Sequence, residues 1–269
     1  MLNVYWLEQT EADVPIGDDW LSQGEAIRLD GMRIAKRRTD WRLGRWTAKR
    51  ALAISLNLPS HPQALASIEI HPAPSGAPEA FLADQRAAVT ISLSHRSGAA
   101  ICALAPSGTA LGCDLEVIEP RGDSFVTDYF TSDEQALVQR ASVTDRPRLL
   151  TLLWSSKESA LKALGTGLRL DTRCVAVEPV DAPQCRDGEA FIEDKSLTFP
   201  PSPGHNHWQS LRVRHADGQV FHGWWQYSGN LMRTLVASPP PALPIDLKDR
   251  DLELRGPYFP AAALPSSRA

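Results

Sequence analysis

Two long amphipathic helices, each followed by a run of short strands, constrain this chain more than any other feature. The first spans about residues 31–58, where Leu43, Trp46, Ala51, Leu52 and Ile54 recur at helical spacing. The second spans 146–163, started by Asp145 and Pro147, with Leu149, Leu150, Leu153, Trp154, Ala160, Leu161 and Leu164 on its apolar face. Strands are expected at 66–70, as a pair within 88–104 joined at 94–98, and at 110–117. After the second helix they are expected at 174–177, 190–192, 209–215, 219–227 and 232–237. This layout predicts an α+β chain of two similar halves, each a small, mainly antiparallel sheet packed on helices. The resemblance is one of layout; no residue-level repeat is read. The expected boundaries are 1–120 for the N-terminal lobe, 121–240 for the C-terminal lobe, and 241–269 for a Pro-rich tail that wraps the surface or is disordered.

Smaller signals fill in the frame. A first strand is expected at 2–7, followed by a helix capped by Asp18-Asp19 and running to Ile27. Ser132 with Gln135 reads as a capping box, and Glu134 lies in that first turn, where the helix dipole favours an acid. Gly165-Thr166-Gly167 ends the second long helix and lacks the GK[ST] of a nucleotide loop. Trp224-Trp225 reads as sheet packing, and His205 and His207 as loop residues. The basic arm carries Arg33, Lys36, Arg37, Arg38, Arg42, Arg45, Lys49 and Arg50: either a solvated helix face or a site for an anionic ligand, to which arginine suits phosphate.

Composition narrows the class. With 269 residues, 43% hydrophobic and 22% charged, the chain reads as an ordinary soluble globular protein. A formal net charge of -4 gives no general basic field for nucleic acid. No apolar run approaches membrane-spanning length. Cys102, Cys113, Cys174 and Cys185 form no CxxC pair, which disfavours a zinc site or disulfide framework and fits a reducing cytosol. The acidic N-terminal stretch has no export signal, so a cytoplasmic location is expected.

The candidate chemistry sits in two stretches. In LGCDLE (111–116), period-two geometry puts Asp114 and Glu116 on one face. Two adjacent carboxylates repel each other, and a hard divalent cation with oxygen ligands relieves that; a solvated strand edge is the alternative. In WSSKESALK (154–162), Glu158 and Lys162 share a helix face with Lys157 beside them, either as a surface ion pair or as part of a site for metal and phosphate. His95, at a strand end between Ser94 and Arg96, reads as a phosphate donor or a polar turn residue.

Three stretches in order, SLSHRSG (92–98), LGCDLE and WSSKESALK, resemble the 4′-phosphopantetheinyl transferases. More narrowly, they resemble the monomeric two-lobed type, as in activation of surfactin synthetase, that serves peptide and polyketide synthases. The resemblance implies a pseudo-dimer of α+β lobes with pseudo-twofold symmetry and the active site in the cleft between them. It implies transfer of 4′-phosphopantetheine from coenzyme A to a serine of an acyl or peptidyl carrier protein, a holo-[acyl-carrier-protein] synthase activity releasing adenosine 3′,5′-bisphosphate. Asp114, Glu116 and Glu158 would ligate Mg²⁺, with Mn²⁺ as an alternative, and Asp114, Glu158 and Lys162 would serve catalysis. Lys162 would contact the pyrophosphate, Ser94 and His95 other phosphates of coenzyme A, and Arg37, Arg38 and Arg42 its 3′-phosphate end. Glu134 stands where the family often has an acid near the site. Two departures stand out. The loop Ser75-Gly76-Ala77-Pro78 keeps the Gly and Pro of a family Gly-Lys-Pro but not its lysine, so Gly76 is the contact carried over; and Arg96 replaces a common serine. A Mg²⁺-dependent phosphohydrolase or nuclease using the same carboxylates, and a non-catalytic binder of coenzyme A or a carrier, are the alternatives.

Overall fold

The computed structural model describes residues 1–179 and 208–254. The expected strand at 190–192, Cys185, His205, His207 and the end of the tail lie outside the described residues.

In the first half come β1 (Tyr5–Thr10), α1 (Gln23–Asp30), α2 (Ala35–Ser55), α3 (Pro62–Ala66), β2 (Ile68–Pro72), β3 (Pro78–Leu82), β4 (Gln85–Arg86), β5 (Val89–Arg96) and β6 (Ala99–Pro106). Then follow β7 (Ala110–Val117), α4 (Asp123–Tyr129), α5 (Ser132–Arg140), α6 (Arg146–Ala163), β8 (Val175–Pro179), β9 (Gln209–His215), β10 (Val220–Ser228), β11 (Leu231–Ser238), β12 (Ile245–Asp246) and α7 (Leu247–Leu254). The bounds of α6 are those the sequence predicts. The chain is α+β, with sheets packed on helices, and no helix among the described residues is long and apolar enough to cross a membrane.

One sheet has the order β12-β1-β6-β5, another β7-β11-β10-β9-β8, and β2-β3-β4 form a third, small one. The two larger sheets pack face to face, each with its own long helix outside. β6 displays both contacts: Cys102 and Leu104 join the core beneath α2, while Ala99, Ile101, Ala103 and Ala105 meet Leu111, Cys113, Leu115, Leu235 and Ala237 of the other sheet. A strand buried on both faces explains why AAICALA is a continuous apolar run. Small side chains there let the sheets approach closely, and Glu8 of β1 pairs with Arg233 of β11 across the seam, Arg233 Nη2 to Glu8 Oε1 at 2.7 Å.

The carboxylate strand is β7, which pairs antiparallel with β11 from Leu231↔Val117 to Ser238↔Ala110. Two expectations are corrected. The Pro-rich tail is partly integral: β12 runs parallel to β1, covering an edge that would otherwise stand open, and Leu247 is completely buried. The helix caps shift too. Ser22, not Asp18-Asp19, caps α1, with Glu25 closing the box; Thr131, not Ser132, caps α5, with Glu134 rather than Gln135 closing it.

The two halves share one internal device. Glu25 also pairs with Lys49 at 2.5 Å and accepts from Ile70 N–H at 3.3 Å; Lys49 donates to the Trp20 and Leu65 carbonyls. Glu134 pairs with Lys157 at 2.8 Å and accepts from Val177 N–H at 2.9 Å; Lys157 donates to the Thr172 and Val175 carbonyls. Both lysines are fully buried, so each clamps a long helix to the start of a short one and to the next strand.

Candidate active site

The site forms where β5, an edge of one sheet, runs beside β7, an edge of the other. Their junction is hydrogen-bonded through β5 serines: Cys113 N–H donates to Ser92 Oγ at 3.0 Å, and Ser94 Oγ–H donates to Asp114 Oδ1 at 2.8 Å. On β7, Leu111, Cys113 and Leu115 face the seam, which turns Gly112, Asp114 and Glu116 toward α6. Gly112 is what allows α6 to lie so close. A Cβ built there would stand 1.8 Å from the Ser159 carbonyl oxygen, a backbone atom that cannot swing aside. Gly112→Ala should therefore push β7 and α6 apart, costing about 1–3 kcal/mol of stability by overpacking. It should also reduce activity beyond what a lowered thermal midpoint explains; an unchanged midpoint would refute this close approach.

Across this contact Lys162 Nζ donates to Asp114 Oδ1 at 2.8 Å and to the Cys113 carbonyl at 3.0 Å. Burial disfavours the Lys162 ammonium, but Asp114 and its neighbours more than offset this and hold its pKa above the ordinary value. Asp114 Oδ1 is thus doubly engaged, while Oδ2 is buried without a partner. Glu116 is gripped at both oxygens: Trp154 Nε1–H donates to Oε1 at 3.0 Å, and Arg96 and Arg121 stand 3.4 and 3.5 Å from Oε2. Its pKa is raised, chiefly by burial and then by the Asp114 charge, against the arginines and the Trp154 bond. The Glu158 carboxyl makes no hydrogen bond or ion pair with any described residue. Burial and the Asp114 and Glu116 charges, opposed by Lys162, push it up to about 7.

Among the described residues, no three His, Cys, Asp or Glu side chains are gathered tightly enough to hold a metal as they stand. The donor set nevertheless fits a hard cation: an orphaned buried carboxylate oxygen on Asp114, and a Glu158 carboxyl whose ionisation two acids oppose, are both relieved by positive charge between them.

The other candidates fall in three places. Lys157, the expected neighbour of the site, points instead into the core, and Glu134 with it; α6 turns about 100° per residue, so the residue before Glu158 faces away. His95 is exposed at the end of β5. The atoms packed around it lower its pKa, Asp40 opposes this, and Lys162 and Lys36 lower it further, so the start of α2 lies near the ring. Arg38 donates to the Leu29 and Met32 carbonyls, and Arg42 to Asp18 at 2.8 Å and to the carbonyls of Pro15, Ile16 and Gly17. Arg37 is exposed. Of the eight cations in the basic arm, Lys49 and Arg50 are buried, so the arm is neither wholly a solvated face nor wholly a ligand site.

Beside Lys162 opens a cavity of about 860 Å³, lined by the Ala73–Pro78 loop including Gly76, by β5 residues, and by the chain from Lys162 through Arg169. The rim is made of tight turns: Gly76 has φ 89°, Gly165 69° and Gly167 54°, in the left-handed region. Sequence reasoning passed over Trp154, Arg121 and Ser92 as site-shaping groups, and Arg86 and Arg169 as cavity cations.

Residues 110–211, which carry β7 and α6, match the family model of the 4'-phosphopantetheinyl transferase superfamily. No curated protein matches the chain. Among solved structures, the Helicobacter pylori holo-[acyl-carrier-protein] synthase in complex with coenzyme A is similar over 40% of this chain and 100% of that one, at 18% identity and a TM-score of 0.31.

Proposed function

We propose that this protein transfers the 4′-phosphopantetheine of coenzyme A to a serine hydroxyl of an acyl or peptidyl carrier protein, as a two-lobed enzyme with its active site where the lobes meet. The observation that carries this reading is the cluster of Asp114, Glu116, Glu158 and Lys162 at the end of a cavity large enough for a nucleotide, within the stretch that matches the superfamily.

Asp114, Glu116 and Glu158 are the residues that would hold Mg²⁺, or Mn²⁺ in its place. When bound, such an ion supplies positive charge to a pyrophosphate and its leaving group. The side chains do the rest. Lys162 presents its ammonium at the cavity wall, where negative charge develops on the pyrophosphate, and Asp114 and the Cys113 carbonyl fix its direction. Trp154 and the two arginines hold Glu116 in one orientation. His95 and Ser94 stand at the end of β5 beside the carboxylates, and Arg37 on the exposed first turn of α2. Glu158, whose carboxyl has no partner among the described residues, is placed to accept the serine proton. The serine oxygen then forms the new bond to the β-phosphorus as the P–O bond to the bisphosphate breaks. Adenosine 3′,5′-bisphosphate leaves with the electron pair.

The test is intact mass spectrometry of an apo carrier protein incubated with coenzyme A and Mg²⁺, with and without a chelator. A gain of about 340 Da, the covalent mass of the group, that disappears with the chelator supports the reading. Phosphate or nucleotide release without a carrier would favour a hydrolase. In the metal-free protein burial and the neighbouring acids push the Glu158 carboxyl up to about 7, so Mg²⁺ binding followed by calorimetry should strengthen as pH rises through about 7, and Glu158→Gln should lack this dependence. The stability linkage has the opposite sign. A carboxyl raised from 4.5 to about 7 contributes stability that is complete below 4.5 and lost as pH rises through about 7, and Mg²⁺ should restore it.

A further inference from the structure

The cavity carries three cations, and they are not equivalent. Lys162 is compensated by Asp114 at 2.8 Å, and Arg86 by Glu79 at 2.6 Å. Arg169 faces no carboxylate among the described residues. It is exposed, its Nε–H donates to the Thr166 carbonyl at 3.1 Å, and its Nη2–H donates to the Ser75 carbonyl. These two bonds come from different segments, the turn after α6 and the Ala73–Pro78 loop, so one guanidinium joins both rims of the cavity. A guanidinium has five N–H donors, and the remaining ones are available to a ligand. Its own backbone bonds fix the plane of the group, which is what recognition of a phosphate requires.

The arginines of α2 are differently placed. Arg38 and Arg42 spend their donors on backbone carbonyls and Asp18, and neither they nor Arg37 line the cavity. The Ala73–Pro78 loop has no cation of its own. Arg169 lies seven residues beyond Lys162, on the stretch of chain that lines the cavity, and pairs with none of Asp114, Glu116 and Glu158.

We propose that Arg169 is the residue that recognises the terminal ribose phosphate of coenzyme A, in place of the basic arm of α2. This rests on the transferase reading above, with Lys162 serving the pyrophosphate at the carboxylate end. Arg169 thereby sets selectivity for the 3′-phosphorylated nucleotide over its dephosphorylated form.

The test is isothermal titration calorimetry with coenzyme A and with 3′-dephospho-coenzyme A, on the wild-type chain and on Arg169→Ala, Arg169→Lys and Arg37→Ala, with circular dichroism to check folding. The wild type should prefer coenzyme A. Arg169→Ala should weaken coenzyme A by about 10- to 100-fold, the scale of a charge-assisted hydrogen bond, and leave the dephospho form nearly unchanged. Arg169→Lys should recover part of the loss, and Arg37→Ala should keep the preference. A folded Arg169→Ala that retains the wild-type preference, or an Arg37→Ala that loses it, would overturn this assignment alone. A wild-type chain that binds neither nucleotide would overturn the transferase reading with it.

Discussion

Replacing Asp114 with alanine should lower phosphopantetheine transfer by at least about 10²–10³-fold, the range seen when one group that stabilises a transition state electrostatically is removed. Three roles would be lost together. Asp114 Oδ1 holds the Lys162 ammonium at 2.8 Å and receives Ser94 Oγ–H at 2.8 Å, and Oδ2 is a buried oxygen with no partner among the described residues. The fold should survive. β7 is held by its backbone ladder to β11 and by the apolar seam, neither of which uses the carboxylate. Lys162 has a side chain 27% exposed and can turn to water once its partner is gone, so the stability cost should stay near the ~1 kcal/mol of a partly solvated pair. Asp114→Asn separates charge from shape: it keeps an acceptor for Ser94 and Lys162 but removes the negative charge, and should be nearly as inactive. The check is carrier modification by mass spectrometry beside thermal unfolding. Turnover within a few-fold of wild type in either variant would refute the carboxylate site.

The site was legible because its signals are local. Alternation in LGCDLE fixes which side chains share a face, and the i, i+4 spacing of Glu158 and Lys162 does the same on a helix. What could not be read locally is which neighbour each face meets. β6 and β7 are consecutive strands joined by a short turn, and adjacency favours pairing them; β7 instead crosses to β11, and only Gly112, needed for contact with α6, hints at it. Lys157 is one residue from Glu158 in sequence and about 100° round α6 from it, on the face that meets the core. One signal was present and passed over. Trp46-x-x-Lys49 in α2 is repeated as Trp154-x-x-Lys157 in α6, with Arg50 where the other helix has Glu158 and Ile54 where it has Lys162. The shared lysines are the buried clamp, and the differing positions bear the candidate site's charges only in α6, so reading for charge alone hides the echo. The tail misled for a compositional reason: its prolines suggest an unpacked segment, yet one buried leucine and a strand edge needing cover anchor it.

That clamp makes the second large effect. Lys157→Met should destabilise the protein by about 3–5 kcal/mol, the usual consequence of leaving one member of a buried ion pair without its partner. Lys157 and Glu134 are 0% and 3% exposed at their side chains, so no water can replace the lost ammonium at Glu134. The Thr172 and Val175 carbonyls lose a donor as well. Burial already pulls the Lys157 pKa below its ordinary value, with Glu134 opposing, so the pair is costly to keep and costlier to break. Glu134 cannot be removed freely, because it closes the capping box on Thr131 at one oxygen and receives Val177 N–H at the other; glutamine keeps the length but only one acceptor oxygen, so one of those N–H groups loses its partner. Lys157→Met/Glu134→Gln should therefore recover only part of the loss, and the coupling between the two positions should exceed about 1 kcal/mol, as for residues in direct contact. The matching substitution Lys49→Met should cost less, because Arg45 also stands 3.5 Å from Glu25 and remains as a partner when the lysine is gone. Chemical denaturation of the single and double variants measures this. Additive losses, or a Lys157→Met protein within about 1 kcal/mol of wild type, would mean that apolar packing, not the ion pair, fixes α6 against β8 and carries Glu158 to the site.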